Sequence, residues 1–516
     1  MVKVALLGID GATWRIVKPL VKKGKLPGFA RVMKEGAHGT LRSTTPPVSP
    51  AAWTTIFTGV GPGRHNIFNF VRRKKDSYFV TPVSSRDRTF DPIWKTLTDN
   101  GVRGVFLNIP FAYPPDRVNG VMTTGLGTPS RDSEFTHPPS LRKDILKRFA
   151  DFDVDFNEDT ILLGTSKDPR GEIERVSRAQ VETAKYLWRS QEWDIFATVF
   201  RSTDVIQHYY LDDDEAIAEC YALLDGFISW AADRLGDDTV MILVSDHGFS
   251  RVKWRFMVNN WLENMGLLVM KDEARSGANG LSAESVQAML LRLGLRDLVW
   301  KIKRSGLAEP VLRRILRSER AGHMFLIDWG RTRAYYQDGS YGCITFNMAG
   351  REPEGIVKID EVDGIANGLI QNAGKLEGPD DQPVITRAMR GVDACPGDAP
   401  DIPEVVILAG EGISLSGGYD REGRLFVPAD DRCGEHDMDG LIGALGPGVA
   451  KAAAIKEASV EDITPTMFRA LGVKSPKPLD GKALDEVFTF RDGESAHSER
   501  MRMDRGIAGA VKKGKM

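Results

Sequence analysis

Three aspartates, three histidines and one serine occupy positions where a chain could gather them into a metal-dependent site. They are Asp10 in GIDGA, Ser49 in TPPVSPAAW, Asp204 and His208 in STDVIQHYY, Asp246 and His247 in VSDHGFS, and His436 in GEHDMDG. Each has an ordinary reading. Ser49 precedes Pro50, with Gly59 closing the segment, and this suits a helix N-cap as well as a nucleophile, because serine caps helices, proline starts them and glycine ends them. A residue before proline also avoids helical torsions, as an N-cap does. An aspartate at a strand end often caps its own loop, Asp246-His247 suits a turn or a metal site, and a lone His436 suits a surface. Taken together they say more. Asp204 and His208, four residues apart, share one face of a helix. Mixed carboxylate and imidazole donors suit zinc and other first-row divalent ions, and six such donors divided three and three would make two ion sites.

Short apolar runs must carry these residues. VALLGID (4–10), GVFLNIP (104–110), WDIFATVF (193–200), TVMILVSDHG (239–248), PEVVILAG (403–410) and GLIGALGPG (440–448) read as buried parallel strands. Helical stretches at 175–191 and 213–236 fall between them. Strands alternating with helices predict a doubly wound, mostly parallel α/β sheet flanked by helices, and such sheets bind ligands at the carboxyl ends of their strands. Asp10, Asp204, Asp246 and His247 all stand at or just after such ends. Gly11 leaves room for something close to the backbone.

The rhythm breaks from about residue 255 to 420, which predicts a first core segment over 1–255, an inserted cap or lid over 256–420, a closing core segment over 421–487 and a loose basic tail over 488–516. Within the insertion, 282–318 carries Val286, Met289, Leu290 and Leu293 at helical spacing and more basic than acidic residues. It reads as a solvated helix pair, with a lid over an anionic substrate or a membrane-surface contact as alternatives. The segment 374–401 is rich in Gly, Pro and Asp and reads as loop.

Composition narrows the class. With 42% hydrophobic and 27% charged residues and a net charge of −2 over 516 residues, the chain reads as an ordinary globular protein with no electrostatic pointer to a nucleic-acid polymer. Cys220, Cys343, Cys395 and Cys433 are far apart and form no CxxC pair, so neither a disulfide framework nor a thiolate metal site is expected. The first apolar run reaches Asp10 too soon for a signal segment, and no uncharged apolar run approaches a membrane span of about 18 residues. A cytoplasmic location is the expectation.

The order of motifs resembles the alkaline phosphatase superfamily, and within it the type I phosphodiesterase/nucleotide pyrophosphatase branch: GIDG, a Ser/Thr ahead of a helix ending TG, D-x-x-x-H, SDHG, and a late His in GEH. The resemblance covers residues 2 to about 250 and resumes from about 420 to 487. It implies an alkaline-phosphatase-like fold in which Asp204, His208 and His436 hold one divalent ion. Asp10, Asp246 and His247, with the Ser49 oxygen, would hold a second. Zinc is the implied metal, with manganese as the alternative. Ser49, ten residues before the Gly59 of TG, stands where relatives carry the nucleophile.

The implied reaction is a two-metal in-line displacement at phosphorus through a phospho- or nucleotidyl-serine, on a small phosphoester such as a phosphodiester or nucleotide pyrophosphate. A phosphomonoesterase, or a phosphomutase or phosphotransferase, is the alternative, and a non-catalytic metal- or phosphate-binding module lies outside the enzyme class. The arginine that alkaline phosphatases carry shortly after the nucleophile is missing, because Pro50, Ala51 and Ala52 follow Ser49, and so is the asparagine that nucleotide pyrophosphatases often carry at the position of Ala52; loss of the arginine favours diesters or pyrophosphates. Asn69, Asn108 and Arg351 are candidate replacements for gripping phosphate oxygens; loop capping for the asparagines and an ion pair for Arg351 are the ordinary readings. Trp53 and Phe57 could wall a leaving-group pocket or pack the core. His65 in GRHNI and Asp480 in PLDGKAL read as structural.

Overall fold

The computed structural model describes residues 2–156, 168–272, 323–337, 339–379, 382–429 and 433–488. The expected helix pair at 282–318 and the expected tail after 488 lie outside the described residues. The main sheet has nine strands. In chain order they are β1 (Lys3–Ile9), β2 (Ala37–Arg42), β3 (Gly104–Ile109), β4 (Gly120–Thr124), β5 (Thr136–His137), β6 (Ile195–Phe200), β7 (Thr239–Val244), β8 (Asp439–Leu445) and β9 (Ala453–Ser459). Across the sheet they run β9-β2-β8-β7-β1-β6-β3-β4-β5. β1 is parallel to both its neighbours, β7 and β6, so Asp246, Asp10 and Asp204 leave three adjacent strands at the same edge.

Helices cover both faces, among them α1 (Pro27–Glu35), α2 (Ser49–Thr58), α3 (Pro169–Ser190), α4 (Ser202–Tyr210), α5 (Asp214–Ala232) and α6 (Ile463–Leu471). Strand alternation decides what each face buries. Along β1, Ala5, Leu7 and Ile9 join Phe29, Leu187 and Tyr221 on one face. Val4 and Leu6 join Trp53, Phe57 and Met467 on the other. With both faces covered, the central strands are apolar throughout, which is why they stand out in the sequence. Burial of each large side chain contributes about 1.5–3 kcal/mol, so packing on both faces holds the strands that carry the site. Among the described residues no helix is long and apolar enough to cross a membrane.

Three expectations change. PEVVILAG forms a strand, Val405–Ala409, but in a separate antiparallel sheet with Ala334–Tyr336, Cys343–Phe346 and Ile385–Arg390. Within the expected loop at 374–401 lie that sheet's edge strand, Ile385–Arg390, and a short helix, Gly391–Ala394. Its outward residues are exposed or half-buried, so no apolar alternation marks it. β8 was expected parallel but is antiparallel to both β2 and β7; a short apolar run carries no information about direction. The small sheet has its own apolar cluster, including Trp261, Tyr335, Phe346 and Ile407. The strand Gly248–Met257 pairs along its length with Gly434–Asp437, Gly412–Ser416 and Phe426–Pro428, tying the site's last histidine to this second layer.

One buried carboxylate fixes the packing of α1 on α5. Leu26 at the N-cap of α1 offers no side-chain acceptor. Asp225 on α5 supplies it, accepting from the backbone N–H groups of Gly28 at 2.9 Å and Phe29 at 2.8 Å. Asp225→Ala leaves two buried donors unpaired and is expected to cost about 1–3 kcal/mol, read as a lowered urea midpoint at unchanged slope; an unchanged midpoint would contradict this role.

Candidate active site

The seven side chains singled out by the sequence converge at the carboxyl edge of β7, β1 and β6. Asp10 follows β1 directly, its N–H bonded to the Phe200 carbonyl at 2.9 Å. Asp204 lies in the first turn of α4 and His208 in its last. Asp246 and His247 follow β7. His436 is brought in from the end of the core by the pairing of Gly434–Asp437 with the strand after His247, opposite Phe249.

One triangle is nearly equilateral. His208 Nε2 and His436 Nε2 each lie 3.3 Å from Asp204 Oδ1 and 3.2 Å from one another. The other ring nitrogens fix the tautomers. His208 Nδ1 faces the Gly434 carbonyl at 3.0 Å, His436 Nδ1 the Pro47 carbonyl at 3.1 Å and His247 Nδ1 the Gly248 carbonyl at 3.0 Å. A carbonyl only accepts, so Nδ1 carries the proton and Nε2 presents a lone pair. Three acceptor atoms thus converge with nothing but a proton or a cation to reconcile them. Donors about 2.0–2.1 Å from a tetrahedral ion lie about 3.3–3.4 Å apart, which is the size of this triangle.

A second group adjoins it. His247 Nε2 lies 3.3 Å from Asp246 Oδ2, 3.6 Å from Asp10 Oδ1 and 3.2 Å from Ser49 Oγ. Ligand atoms of Asp10, Asp204 and His247 also fall within 4.8 Å of one another, so Asp204 reaches both groups. All three carboxylates follow one pattern. One oxygen is held by a donor: Asp10 Oδ2 by Trp53 Nε1 at 2.7 Å, Asp204 Oδ2 by Arg201 at 2.9 Å, and Asp246 Oδ1 by the Gly11 N–H at 3.2 Å. The other oxygen (Asp10 Oδ1, Asp204 Oδ1, Asp246 Oδ2) is buried without a hydrogen-bond partner among the described residues. Orphaned buried carboxylate oxygens are costly, and two divalent cations are the species this donor set fits.

The electrostatics agree. Burial, then repulsion from Asp246 and Asp204, holds the Asp10 carboxyl well above its usual range. Burial and Asp204 push Asp246 up to about 8. Burial would raise Asp204 as well, but His208 and His436, when a proton on Nε2 takes the place of a cation, outweigh it together with Arg201 and hold it low. Burial and the neighbouring His436 push His247 down to about 4, so its ring is neutral at pH 7. Carboxyls that keep protons without a cation must release them to one. Zinc binding at pH 7 is therefore expected to release protons, seen as an enthalpy that varies with the buffer's ionisation heat; a buffer-independent enthalpy would contradict it.

Ser49 does not cap its helix. α2 begins at Ser49 itself, with extended Val48 at the cap and no side-chain capping bond. The Ala52 N–H that a Ser49 cap would have taken is bonded to the Val48 carbonyl at 3.0 Å, so the hydroxyl is free to donate to His247 Nε2. Gly59 closes the far end in a left-handed conformation at φ 72°, as its position in TG suggests.

The candidate phosphate-gripping residues separate. Arg351 bonds to Glu352, Glu404 and the Phe346 carbonyl at 2.5–3.0 Å. Its guanidinium is ion-paired in the second layer. Asn69 accepts from the Phe70 N–H at 3.3 Å and lines a cleft with Gln337, Ser340, Thr345 and Arg351. Asn108, buried and held at φ 54°, has no partner for either amide atom among the described residues. It stands one residue beyond the Leu107–Thr198 pair at the end of β3. Phe57 packs in the core against Trp94. His65 is buried between Thr55 Oγ1 at 2.9 Å and the Ile67 N–H at 3.1 Å, and Asp480 holds the Gly61 N–H and Arg64.

Supporting residues absent from the sequence reading surround the site. Arg201 joins Asp204 to Asp155. Thr203 Oγ1 donates to the Asp10 carbonyl at 2.6 Å, and Gln207 Nε2 to the Gly11 carbonyl at 2.9 Å. Thr203 and Gln207 form a second four-residue step within STDVIQH, one position before Asp204 and His208. That repetition was the available signal. Tyr341 from the small-sheet region stacks on the His436 ring at 5.3 Å, and His436 in turn stacks on His247 at 3.7 Å.

Residues 4–438 match the family described as type I phosphodiesterase/nucleotide pyrophosphatase. No curated protein matches the chain by sequence comparison. In structure the chain is similar to human ectonucleotide pyrophosphatase/phosphodiesterase 5, with a TM-score of 0.53 and 12% identity over 95% of this chain and 100% of that one. At that identity the likeness speaks for the fold alone.

Proposed function

Since the chain belongs to the type I phosphodiesterase/nucleotide pyrophosphatase family, we propose that it hydrolyses phosphodiesters or nucleotide pyrophosphates through a covalent intermediate on Ser49. The observation that carries this reading is the Ser49 hydroxyl, 3.2 Å from His247 Nε2 and beside three orphaned carboxylate oxygens. Asp204, His208 and His436 would hold one divalent ion. Asp10, Asp246 and His247, with the Ser49 oxygen, would hold the other. Zinc suits these donors, and manganese is the alternative. Bound there, the ions supply positive charge that lowers the hydroxyl pKa and stabilises the attacking and departing oxygens.

Ser49 Oγ loses its proton to water and forms a bond to phosphorus as the bond to the leaving oxygen breaks. The leaving group takes a proton from water and departs. A second water then attacks phosphorus, releasing the product and restoring Ser49. Its place in the first turn of α2 aligns the positive end of that helix with the developing charge. Asn108, and Asn69 at the cleft, are proposed to donate to the non-bridging oxygens.

We take the cleft lined by Asn69 and Arg351 as the substrate's approach, and the pairing of its arginines supports the diester reading. Besides Arg351, Arg73 is paired with Glu352 and Asp401, and Arg72 with Asp87, so these cations are already neutralised. A monoester dianion needs an extra positive partner, whereas a singly charged diester does not. With zinc or manganese present, kcat/KM is expected to be at least about tenfold higher for bis-p-nitrophenyl phosphate than for p-nitrophenyl phosphate, and Asn108→Ala to lower the diester value about 10- to 100-fold, the size of one hydrogen bond to a charged group. A reversed preference would support the monoesterase or phosphotransferase reading. Silence on both esters with metal bound would support a binding module.

A further inference from the structure

We infer that Trp53 is a positioning residue that ties the nucleophile's helix to a cation ligand, fixing at once which Asp10 oxygen faces the metal and where Ser49 stands relative to it. Trp53 is one helical turn beyond Ser49 on α2 and wholly buried. Its indole N–H donates to Asp10 Oδ2 at 2.7 Å, which leaves Oδ1 as the oxygen turned towards His247.

The fit is built from both sides. A Cβ at Gly8 on β1 would lie 2.5 Å from Trp53 Cη2 and 2.9 Å from Val199 Cγ2, so glycine there leaves the room the indole needs to reach Asp10. Asp10 is held three ways: by this bond, by Thr203 at its carbonyl, and by its own N–H on Phe200. Of these, only the Trp53 bond acts on the carboxylate itself. A purely packing role for Trp53 would be served by any large apolar ring and would not need the N–H.

The inference rests on the proposal that Asp10 ligates a cation. Hydrogen bonds to a ligand's second atom change metal affinity by about 10- to 100-fold. Zinc titration against a chelating indicator should therefore show Trp53→Phe, which keeps the ring but not the donor, binding one of two ions about 10- to 100-fold more weakly and the other within about threefold of the parent. In nitrogen-labelled parent protein, the indole N–H resonance that vanishes in Trp53→Phe should move on zinc addition. Folded Trp53→Phe that binds both ions as the parent does would overturn the role. So would a parent in which two ions bind while no indole resonance moves, a readout that survives even if the variant fails to fold. A parent that binds no zinc would instead overturn the reading of the metal centre itself, and this inference with it.

Discussion

Ser49→Ala is expected to lower diester turnover by about 10³-fold or more while the chain still folds and still binds two zinc ions, because the variant removes the attacking atom and leaves three protein donors in each group. Ser49→Thr, which retains the hydroxyl, should keep measurable activity. The parent, quenched during turnover, should carry the phosphoryl or nucleotidyl mass on the peptide that contains Ser49. The geometry makes the size of the loss informative. Among the described residues the Ser49 hydroxyl contacts His247 Nε2, and α2 is capped without it, so its removal takes nothing from the helix cap. Ser49→Ala retaining more than about a tenth of the activity would exclude a covalent route through this residue.

The second large effect separates two histidine and aspartate positions that look alike in the sequence. His436→Ala should release about one ion per chain and nearly all activity, since two remaining protein donors hold a metal poorly. Asp204→Asn should do more. Asp204 Oδ1 is a corner of the first triangle, and the same side chain lies within 4.8 Å of the Asp10 and His247 donors. Neutralising it removes a donor from one site and most of the charge shared with the other, so both ions are expected to bind at least about tenfold more weakly. Metal content measured after gel filtration decides the matter. Asp204→Asn that loses only the ion lost by His436→Ala would mean that the two groups do not share this carboxylate.

The site was legible because its donors are short motifs at the ends of long apolar runs. Strands such as Lys3–Ile9 and Thr239–Val244 are buried on both faces, and this produces the continuous runs that place Asp10 and Asp246. What the sequence concealed depends on partners distant along the chain. Ala37–Arg42 and Ala453–Ser459 are half-exposed strands with weak patterning; they become strands only by pairing. Trp53 reads as a core residue until Asp10 is placed opposite its N–H. Arg351 reads as an ion-pair partner or a phosphate ligand, and which acids it meets, Glu352 and Glu404, depends on pairing across the second layer. Ser49 shows the limit of local rules: residue preferences put a cap there, and a single backbone bond from Ala52 to Val48 moved the helix start by one position and freed the hydroxyl.

The place of Asp439–Leu445 inside the main sheet has an outcome for biosynthesis. A ribosome delivers this strand after Ala37–Arg42 and Thr239–Val244, yet it is the piece that lies between them. In the folded sheet it pairs with both, and His436 lies just upstream of it. A chain truncated before Asp439–Leu445 therefore lacks the strand that joins Ala37–Arg42 to Thr239–Val244.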